Sequence, residues 1–321
     1  MIEDLNALKV FLAVSTSGNM TSAAKRLGLT QSAVSQSIRQ LEENLGSVLL
    51  DRAQRPLKLT AAGMVLQRHA VPLVEDASTL ATAVRQAGAS KVHELRIGII
   101  DSFASTVGPS LIRSLLSQAE RLSFRSGLAH DQAEGLLSRN LDLIISSDAM
   151  DDVDGLDRYP ILSEPFVLLL PEKLAAAYPV PDIKALAAAH SLIRFSARSQ
   201  IGAQIERHLR RLGVKAPRLL EVDATDALMA RVRAGLGWAI ATPLCLLQAR
   251  SLIAGIRVVP FPAPGFTRQL HLFARAGEYG ELPQRVAQLA CDILKRECAP
   301  ELRKLVPWLR GQFNIALVAR S

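Results

Sequence analysis

The chain has 321 residues, 49% hydrophobic and 21% charged, which suits about two globular domains and excludes a disordered or collagen-like polymer. Its three cysteines, Cys245, Cys291 and Cys298, form no C-x-x-C pair and leave an odd thiol, arguing against a disulfide framework or zinc site and for a reducing compartment. The net charge of +8 is not a basic tail, since residues 1–90 carry 9 Lys and Arg against 7 Asp and Glu.

The first 90 residues read as almost wholly helical. Leu5, Leu8 and Leu12 give a first helix one apolar face. Thr21 is placed to cap a short second helix, Ser22 to Leu27, which Gly28 breaks. A third helix is predicted from Gln31 to Leu45, stopped by Gly46. Val34, Ile38, Leu41 and Leu45 form one stripe along it, and Ser32, Ser35, Gln36 and Arg39 lie on the opposite side. Hydroxyls, an amide and a guanidinium can hydrogen-bond base edges and phosphates in a major groove. Alone, that face fits a polar surface helix as well as a DNA-reading one. The next segment favours DNA reading: Ser47–Arg52 and Leu57–Thr60 read as two short strands around a turn, a wing presenting Arg52, Arg55 and Lys58.

From Thr60 a long helix is predicted to about Ala87. Leu66, Ala70, Leu73, Ala77, Leu80 and Val84 make an a/d seam that asks for a partner helix, preferably on a second chain, with the protein's own second domain as the alternative; Pro72 lies inside it. Gly88, Ala89 and Ser90 supply a hinge. Beyond it, strand-like runs at 95–100, 122–125 and 141–145 alternate with helical segments, suggesting βαβ units and a parallel sheet. A second set appears at 166–170, 192–195, 219–222, 238–241 and 256–261, then a strand at 270–273 and a helix from Leu282 to Cys298. Two α/β sets suggest two lobes with a ligand cleft at the carboxyl ends of their strands. The longest apolar runs, Phe166–Leu170 and Leu236–Leu247, fall far below the roughly 18 residues of a membrane span, and Met1 opens no secretory signal, so a cytoplasmic protein away from the membrane is expected.

Three strand-to-helix junctions should border the cleft: Asp101-Ser102-Phe103, Gly127-Leu128-Ala129, and Ser196 to Ser199. Helix N-termini there favour a carboxylate, with hydroxyls from Ser102 and Ser199 and an apolar cover from Phe103, although either serine serves equally well as a helix cap. Asp101 would repel a plain carboxylate, so the expected ligand also bears an amine or hydroxyl, as an amino or hydroxy acid does. Neither G-x-S-x-G, H-E-x-x-H nor a Walker loop is present, and the histidines at 69, 93, 130, 190, 208 and 271 lack metal-ligand spacing, so neither an enzyme nor a metal or cofactor is expected. A ligand-independent architectural DNA binder is the alternative reading.

Thr21-Ser22-Ala23-Ala24 through Leu27, Gln31-Ser32-Ala33-Val34-Ser35, Ile38, Leu41-Glu42, Leu45-Gly46, Leu49-Leu50-Asp51-Arg52, Leu59-Thr60 and Gly63 together resemble the signature of the LysR-type bacterial transcriptional regulators. Weaker motifs extend the likeness: Leu141-Asp142-Leu143, Glu164-Pro165, Val232, Gly235, Gly237 and Pro243. The resemblance implies a multidomain chain of α+β and α/β class, with a winged helix-turn-helix (1–60), a linker and dimerisation helix with hinge (61–90), and a two-lobed periplasmic-binding-protein-like effector domain (91–300). Lobe I would span about 91–164 and 266–300, lobe II about 165–265, and 301–321 a tail that is either frayed or a docking helix. By position, the family's DNA-contacting places fall on Thr21, Gln31, Ser32, Ser35, Gln36 and Arg39, with Arg52 and Arg55 in the wing. Many relatives carry arginine where Gln36 stands, so the preferred bases differ here. The implied partners are double-stranded promoter DNA, a small-molecule inducer and the chain itself, as a dimer through Leu66, Leu73 and Leu80 or a dimer of dimers, with RNA polymerase a further candidate.

Overall fold

A computed structural model describes residues 4–52, 54, 56–86, 92–217 and 220–317, which form two compact units, 1–88 and 89–321. In the first unit, helix α1 (Leu5–Ser17) starts where the Asp4 carboxylate accepts from the Asn6 N–H at 2.8 Å, and stops at left-handed Gly18. Its buried stripe is Leu8, Phe11 and Val14, with Leu5 and Leu12 at the margins. Helix α2 (Met20–Leu27) is capped by Asn19 rather than Thr21: the Asn19 side-chain oxygen accepts from the Thr21 N–H at 2.7 Å, which places Thr21 inside the first turn. Helix α3 (Gln31–Leu45) runs from a Thr30 cap to left-handed Gly46, and Val34, Ile38 and Leu41 are buried on α1 and α2.

The wing is shorter than expected, two-residue strands β1 (Leu50–Asp51) and β2 (Lys58–Leu59) paired antiparallel. Helix α4 (Ala61–Gln86) begins at Thr60, whose hydroxyl accepts from the Gly63 N–H at 3.0 Å. Gly63 is required there: a Cβ would stand 2.2 Å from the Leu49 carbonyl oxygen. The a/d seam divides. Ala70 is fully buried in this unit's own core, with Leu66 and Val74 packed beside it, whereas Leu73 and Leu80 are 51% and 66% exposed. At about 100° per residue, Ala70 and Val74 turn one way from Leu66, and Leu73 and Leu80 drift about 20° per heptad the other way. Leu66 therefore serves the winged-helix core, while Leu73 and Leu80 form a separate apolar edge. The Val84 side chain and the Gly88–Ser90 hinge lie outside what is described.

The second unit carries two sheets. Lobe I opens with β3 (Val92–Ile99), α5 (Asp101–Thr106), α6 (Gly108–Leu115), β4 (Ala119–Ser126), α7 (Ala129–Leu137), β5 (Leu143–Ser146) and β6 (Leu156–Pro165). Lobe II holds β7 (Val167–Pro171), α8 (Glu172–Ala177), α9 (Ile183–Ala189), β8 (Leu192–Phe195), α10 (Gln200–Arg211), β9 (Leu220–Val222), α11 (Thr225–Arg233), β10 (Trp238–Ala241), α12 (Pro243–Gln248) and β11 (Ile256–Pro260). The chain then returns to lobe I with β12 (Thr267–Arg275), α13 (Leu282–Ile293), α14 (Ala299–Leu305) and β13 (Asn314–Ile315).

The strand orders are β13-β6-β12-β5-β3-β4 and β11-β7-β10-β8-β9. Both sheets are mixed rather than purely parallel: β3 runs parallel to β4 and β5, but β12 runs antiparallel to β5 and β6, and β7 runs antiparallel to β10 and β11. The reversal arises because the chain leaves lobe I along β6 and re-enters it along the neighbouring β12. At these crossovers the Phe166 N–H donates to the Phe266 carbonyl at 3.0 Å, and the two rings stack with centroids 3.9 Å apart. Buried Asp142 ties lobe I together by accepting from the Arg96 backbone N–H (2.7 Å), Arg96 Nη2 (2.6 Å) and the Tyr279 hydroxyl (2.7 Å).

Candidate DNA-reading surface and ligand cleft

The α3 geometry puts the polar stripe where sequence periodicity requires. Gln31, Ser32, Gln36 and Arg39 are exposed, Ser35 is half-buried, and the apolar stripe behind them is sealed in the core. Thr21 is exposed in the first turn of α2. Ser32 shares a 3.0 Å hydrogen bond with the Thr30 cap, so one hydroxyl of the stripe already has a local partner. Glu42, which sequence reasoning did not assign to the site, ties the wing to this helix. Its Oε1 accepts from the Leu49 and Leu50 backbone N–H groups (2.9 and 3.3 Å), and its Oε2 accepts from Arg52 Nη2 at 2.7 Å. Arg52 is thus fixed by an ion pair while remaining 40% exposed, and Arg55 lies outside the described residues.

In the second unit a cavity of about 70 Å³ lies between the lobes at the carboxyl ends of β3, β4, β5, β8 and β9. Lobe I contributes Asp101, Ser102, Gly127, Leu128, Ala129, Ser147 and Arg268; lobe II contributes Phe195, Ser199, Gln200, Ile201, Asp223, Thr225 and Cys245. Six of the eight expected residues meet there. Phe103 does not: it is fully buried in the lobe I core, since the α5 turn that exposes Asp101 points position 103 inward. Ser196 is also absent from the lining. It is buried, and its carbonyl accepts from the Ser199 N–H at 3.0 Å and the Ser199 hydroxyl at 2.7 Å.

Ser199 lines the cavity as a cap, its oxygen accepting from the Gly202 N–H at 3.1 Å, so its proton and one lone pair are engaged. Gly202 is needed for this turn, because a Cβ would meet the Ser196 carbonyl oxygen at 2.1 Å. Helices α7 and α11 begin beside the cavity without a side-chain cap, leaving N–H groups to a guest.

The floor is a buried ion pair. Arg268 (3% exposed) donates through Nε and Nη2 to Glu164 Oε1, and through Nη2 to the Ser102 and Thr242 hydroxyls at 3.1 and 3.0 Å. The other Glu164 oxygen accepts from the Leu244 N–H at 2.9 Å. The node joins lobe I residues to Thr242 and to Leu244 of α12, a helix whose Leu244 is buried in the lobe I core and whose Leu246 is buried in that of lobe II, and it leaves Arg268 Nη1 without a hydrogen-bond partner among the described residues. At the rim, Asp101 and Asp223 are exposed carboxylates with no ion pair among the described residues. The strand-to-helix rule also points to Asp223 and Thr225 once it is applied to the β9–α11 junction. Arg268 carries no such signal, since its place depends on strand pairing far along the chain.

Among the described residues no cluster of His, Cys, Asp and Glu could hold a metal ion, and no helix is long and apolar enough to cross a membrane. The three cysteines are buried free thiols, and burial pushes Cys291 to about 11 and Cys298 to about 12, which keeps both protonated and unreactive at neutral pH.

Comparison with known proteins agrees with this architecture. Residues 5–64 match the model of the bacterial regulatory helix-turn-helix protein, lysR family, and residues 88–299 match the LysR substrate binding domain. The uncharacterized HTH-type transcriptional regulator YusT of Bacillus subtilis is 28% identical over 79% of this chain and 84% of its own length. A probable hydrogen peroxide-inducible genes activator of Mycobacterium xenopi is 33% identical over 52% of this chain and 89% of its own. Among solved structures, a full-length OxyR variant from Pseudomonas aeruginosa superposes with a TM-score of 0.65 at 20% identity, covering 93% of this chain and 96% of its own. Full-length LysG from Corynebacterium glutamicum with bound effector Arg superposes with 0.59 at 21% identity, covering 92% and 99%. Full-length CbnR with its target DNA superposes with 0.55 at 22% identity, covering 91% and 99%. The chain belongs to the LysR family of DNA-binding transcriptional regulators, with an N-terminal helix-turn-helix followed by a substrate-binding domain.

Proposed function

We propose that this regulator reads promoter DNA through the exposed α3 stripe and responds to a small zwitterion of the amino-acid class held in the interlobe cavity. The observation that carries the ligand class is the charge arrangement: carboxylates of Asp101 and Asp223 at the rim, unpaired among the described residues, and the spare Nη1 of Arg268 at the floor. A plain carboxylate would meet two like charges, and a plain amine would leave the guanidinium nitrogen and the α7 and α11 N–H groups unused. A zwitterion satisfies both ends. The bound arginine of the LysG structure is a ligand of this class in a protein of the same fold. The cavity is well below the roughly 300–1,000 Å³ of drug-sized sites, so the guest is a small amino acid or one admitted by lobe opening.

The test is a thermal-shift panel that pairs amino acids with their decarboxylated amines and deaminated acids. Stabilisation by zwitterions, lost in Asp223→Asn and in Ser102→Ala, supports the class; stabilisation by only the amines or only the acids refutes it. On the DNA side, Gln36→Ala should relax discrimination at one base pair by about 1–3 kcal/mol. Unchanged selectivity across single-base operator variants would remove α3 from the reading surface. Self-association through Leu73 and Leu80, and work in the cytoplasm beside the promoter, belong to the same proposal.

A further inference from the structure

Residues beyond the matched substrate-binding model, which ends at 299, leave lobe I and come back to it. Leu302 of α14 is buried in the lobe I core. Four residues later the chain reaches lobe II, where Val306 and Leu309 are buried in that lobe's core, 2% and 4% exposed, and Trp308 packs against it. The Trp308 indole N–H donates to the Val258 carbonyl of β11 at 3.4 Å. Gly311, left-handed at φ 82°, turns the chain back. Phe313, Ile315 and Ala316 then pack on lobe I, β13 pairs antiparallel with β6 (Asn314 opposite Ser163, Ile315 opposite Leu162), and the Ala316 N–H donates to the Ile161 carbonyl at 2.9 Å.

The anchors sit beside the hinge. The lobe I anchor on β6 ends two residues before Pro165, and the lobe II anchor grips β11, which ends at Pro260 just before the return crossover. Without this segment the lobes are joined by two covalent crossings, near 165–166 and 261–266, and such a hinge bends by torsion in a few residues. The segment adds two more, out between Leu302 and Val306 and back between Leu309 and Phe313.

We propose that residues 299–316 are an interlobe strap that fixes the width of the cleft. Separation of the lobes then requires one anchor to give way: Val306, Trp308 and Leu309 must leave the lobe II core, or β13 must leave the edge of β6. An apolar anchor resists separation because leaving it returns buried side chains to water, and the β13 anchor resists because β6 would become an unpaired edge. The strap thus limits how far the two lobes can separate.

The test is ligand-independent, so it stands or falls separately from the amino-acid reading. Spin labels at His130→Cys and Arg198→Cys, exposed positions next to cavity-lining Ala129 and Ser199, report the distance across the cleft; Cys291 and Cys298 are buried in the lobe I core, and Cys245, which lines the cavity, is replaced by serine in parent and variants alike. In the full chain, Trp308→Ala with Leu309→Ala should shift the interlobe distance distribution to longer values and broaden it. Ile315→Asp with Ala316→Pro, which releases the other anchor and spares the lobe II core, should do the same. If the first pair loses its cooperative melt, the second pair decides. A distribution identical to that of the parent in a folded β13 variant overturns the strap.

Discussion

Removing one partner of the Glu164–Arg268 pair should be more damaging than removing both. Glu164 is fully buried and Arg268 is 3% exposed. In Glu164→Leu the guanidinium keeps only the Ser102 and Thr242 hydroxyls, and the Leu244 N–H loses its acceptor. An uncompensated buried charge of this kind typically costs about 3–5 kcal/mol, whereas replacing a buried pair by apolar side chains of similar volume is often neutral or stabilising. In the double variant Glu164→Leu with Arg268→Met the orphaned Leu244 N–H remains, at about 1–3 kcal/mol. The double variant should therefore recover roughly 2 kcal/mol relative to the single one. Both tryptophans, Trp238 and Trp308, lie in the second unit, so their fluorescence follows that unit's unfolding without a signal from the winged helix. For a unit of this size 1 kcal/mol corresponds to roughly 2–4 °C, so the single variant should melt about 6–20 °C lower. A double variant no more stable than Glu164→Leu, or a single variant within about 1 kcal/mol of the parent, would refute the description of this node as a mutually compensated buried pair.

Glu42→Ala should loosen the wing, because two backbone N–H groups lose their acceptor; amide hydrogen exchange at Leu49 and Leu50 should accelerate while α3 amides hold, and unchanged exchange would deny Glu42 this positioning role. Leu73→Asp with Leu80→Asp replaces two exposed side chains and should alter the stability of an isolated chain by no more than about 0.5 kcal/mol per site, yet separate the subunits of a dimer that buries them. Light scattering reads the result, and a mutant that keeps the parent's dimeric mass places the interface elsewhere. His208 stacks on Phe266 with centroids 3.9 Å apart, and burial, reinforced by Arg211 against the opposing pull of the Pro264 carbonyl, holds its pKa below the ordinary 6.5. The unfolded chain then takes up a proton first as pH falls, so His208 contributes stability that is full above 6.5 and declines below it toward the folded pKa. His208→Phe should flatten the fall in melting temperature between about pH 7.5 and pH 5, and an unaltered slope would move the proton uptake to other groups.

The helical half of the fold is legible because its signals are local. Gly18, Gly28 and Gly46 each end a helix in the left-handed region, and the Val34, Ile38 and Leu41 stripe is a property of 3.6-residue periodicity alone. Thr21 is not the cap its residue type suggests, because threonine and asparagine compete for that role within two positions, and Gly18 settles it by turning the chain just before Asn19. Strand β6 is illegible locally because Asp157, Arg158, Tyr159 and Pro160 interrupt its apolar positions. In its N-terminal half only Leu156 is buried, and its partners β12 and β13 lie more than a hundred residues away.

The same distinction explains which parts of the cleft can be read. Asp101, Ser102, Gly127, Leu128, Ala129 and Ser199 lie at junctions that come directly after their own strands, so strand order alone brings them to one end of each lobe. Arg268 arrives from the start of β12, the end opposite to those junctions in chain direction, and only the antiparallel reversal of that strand turns it toward the cavity. Glu164 is visible beside Pro165, but nothing local indicates that its carboxylate spans from Arg268 to the Leu244 N–H in the first turn of α12. A charged residue flanked by buried neighbours in a strand is the available cue. Ile161 and Leu162 precede Glu164, Phe166 and Val167 come after it, and all are buried, so an ionisable side chain at that position needs a compensating partner inside the protein. That argument establishes the need for a buried cation, while its identity as Arg268 is fixed only by the pairing of β6 with β12, where residues 164 and 268 stand opposite each other.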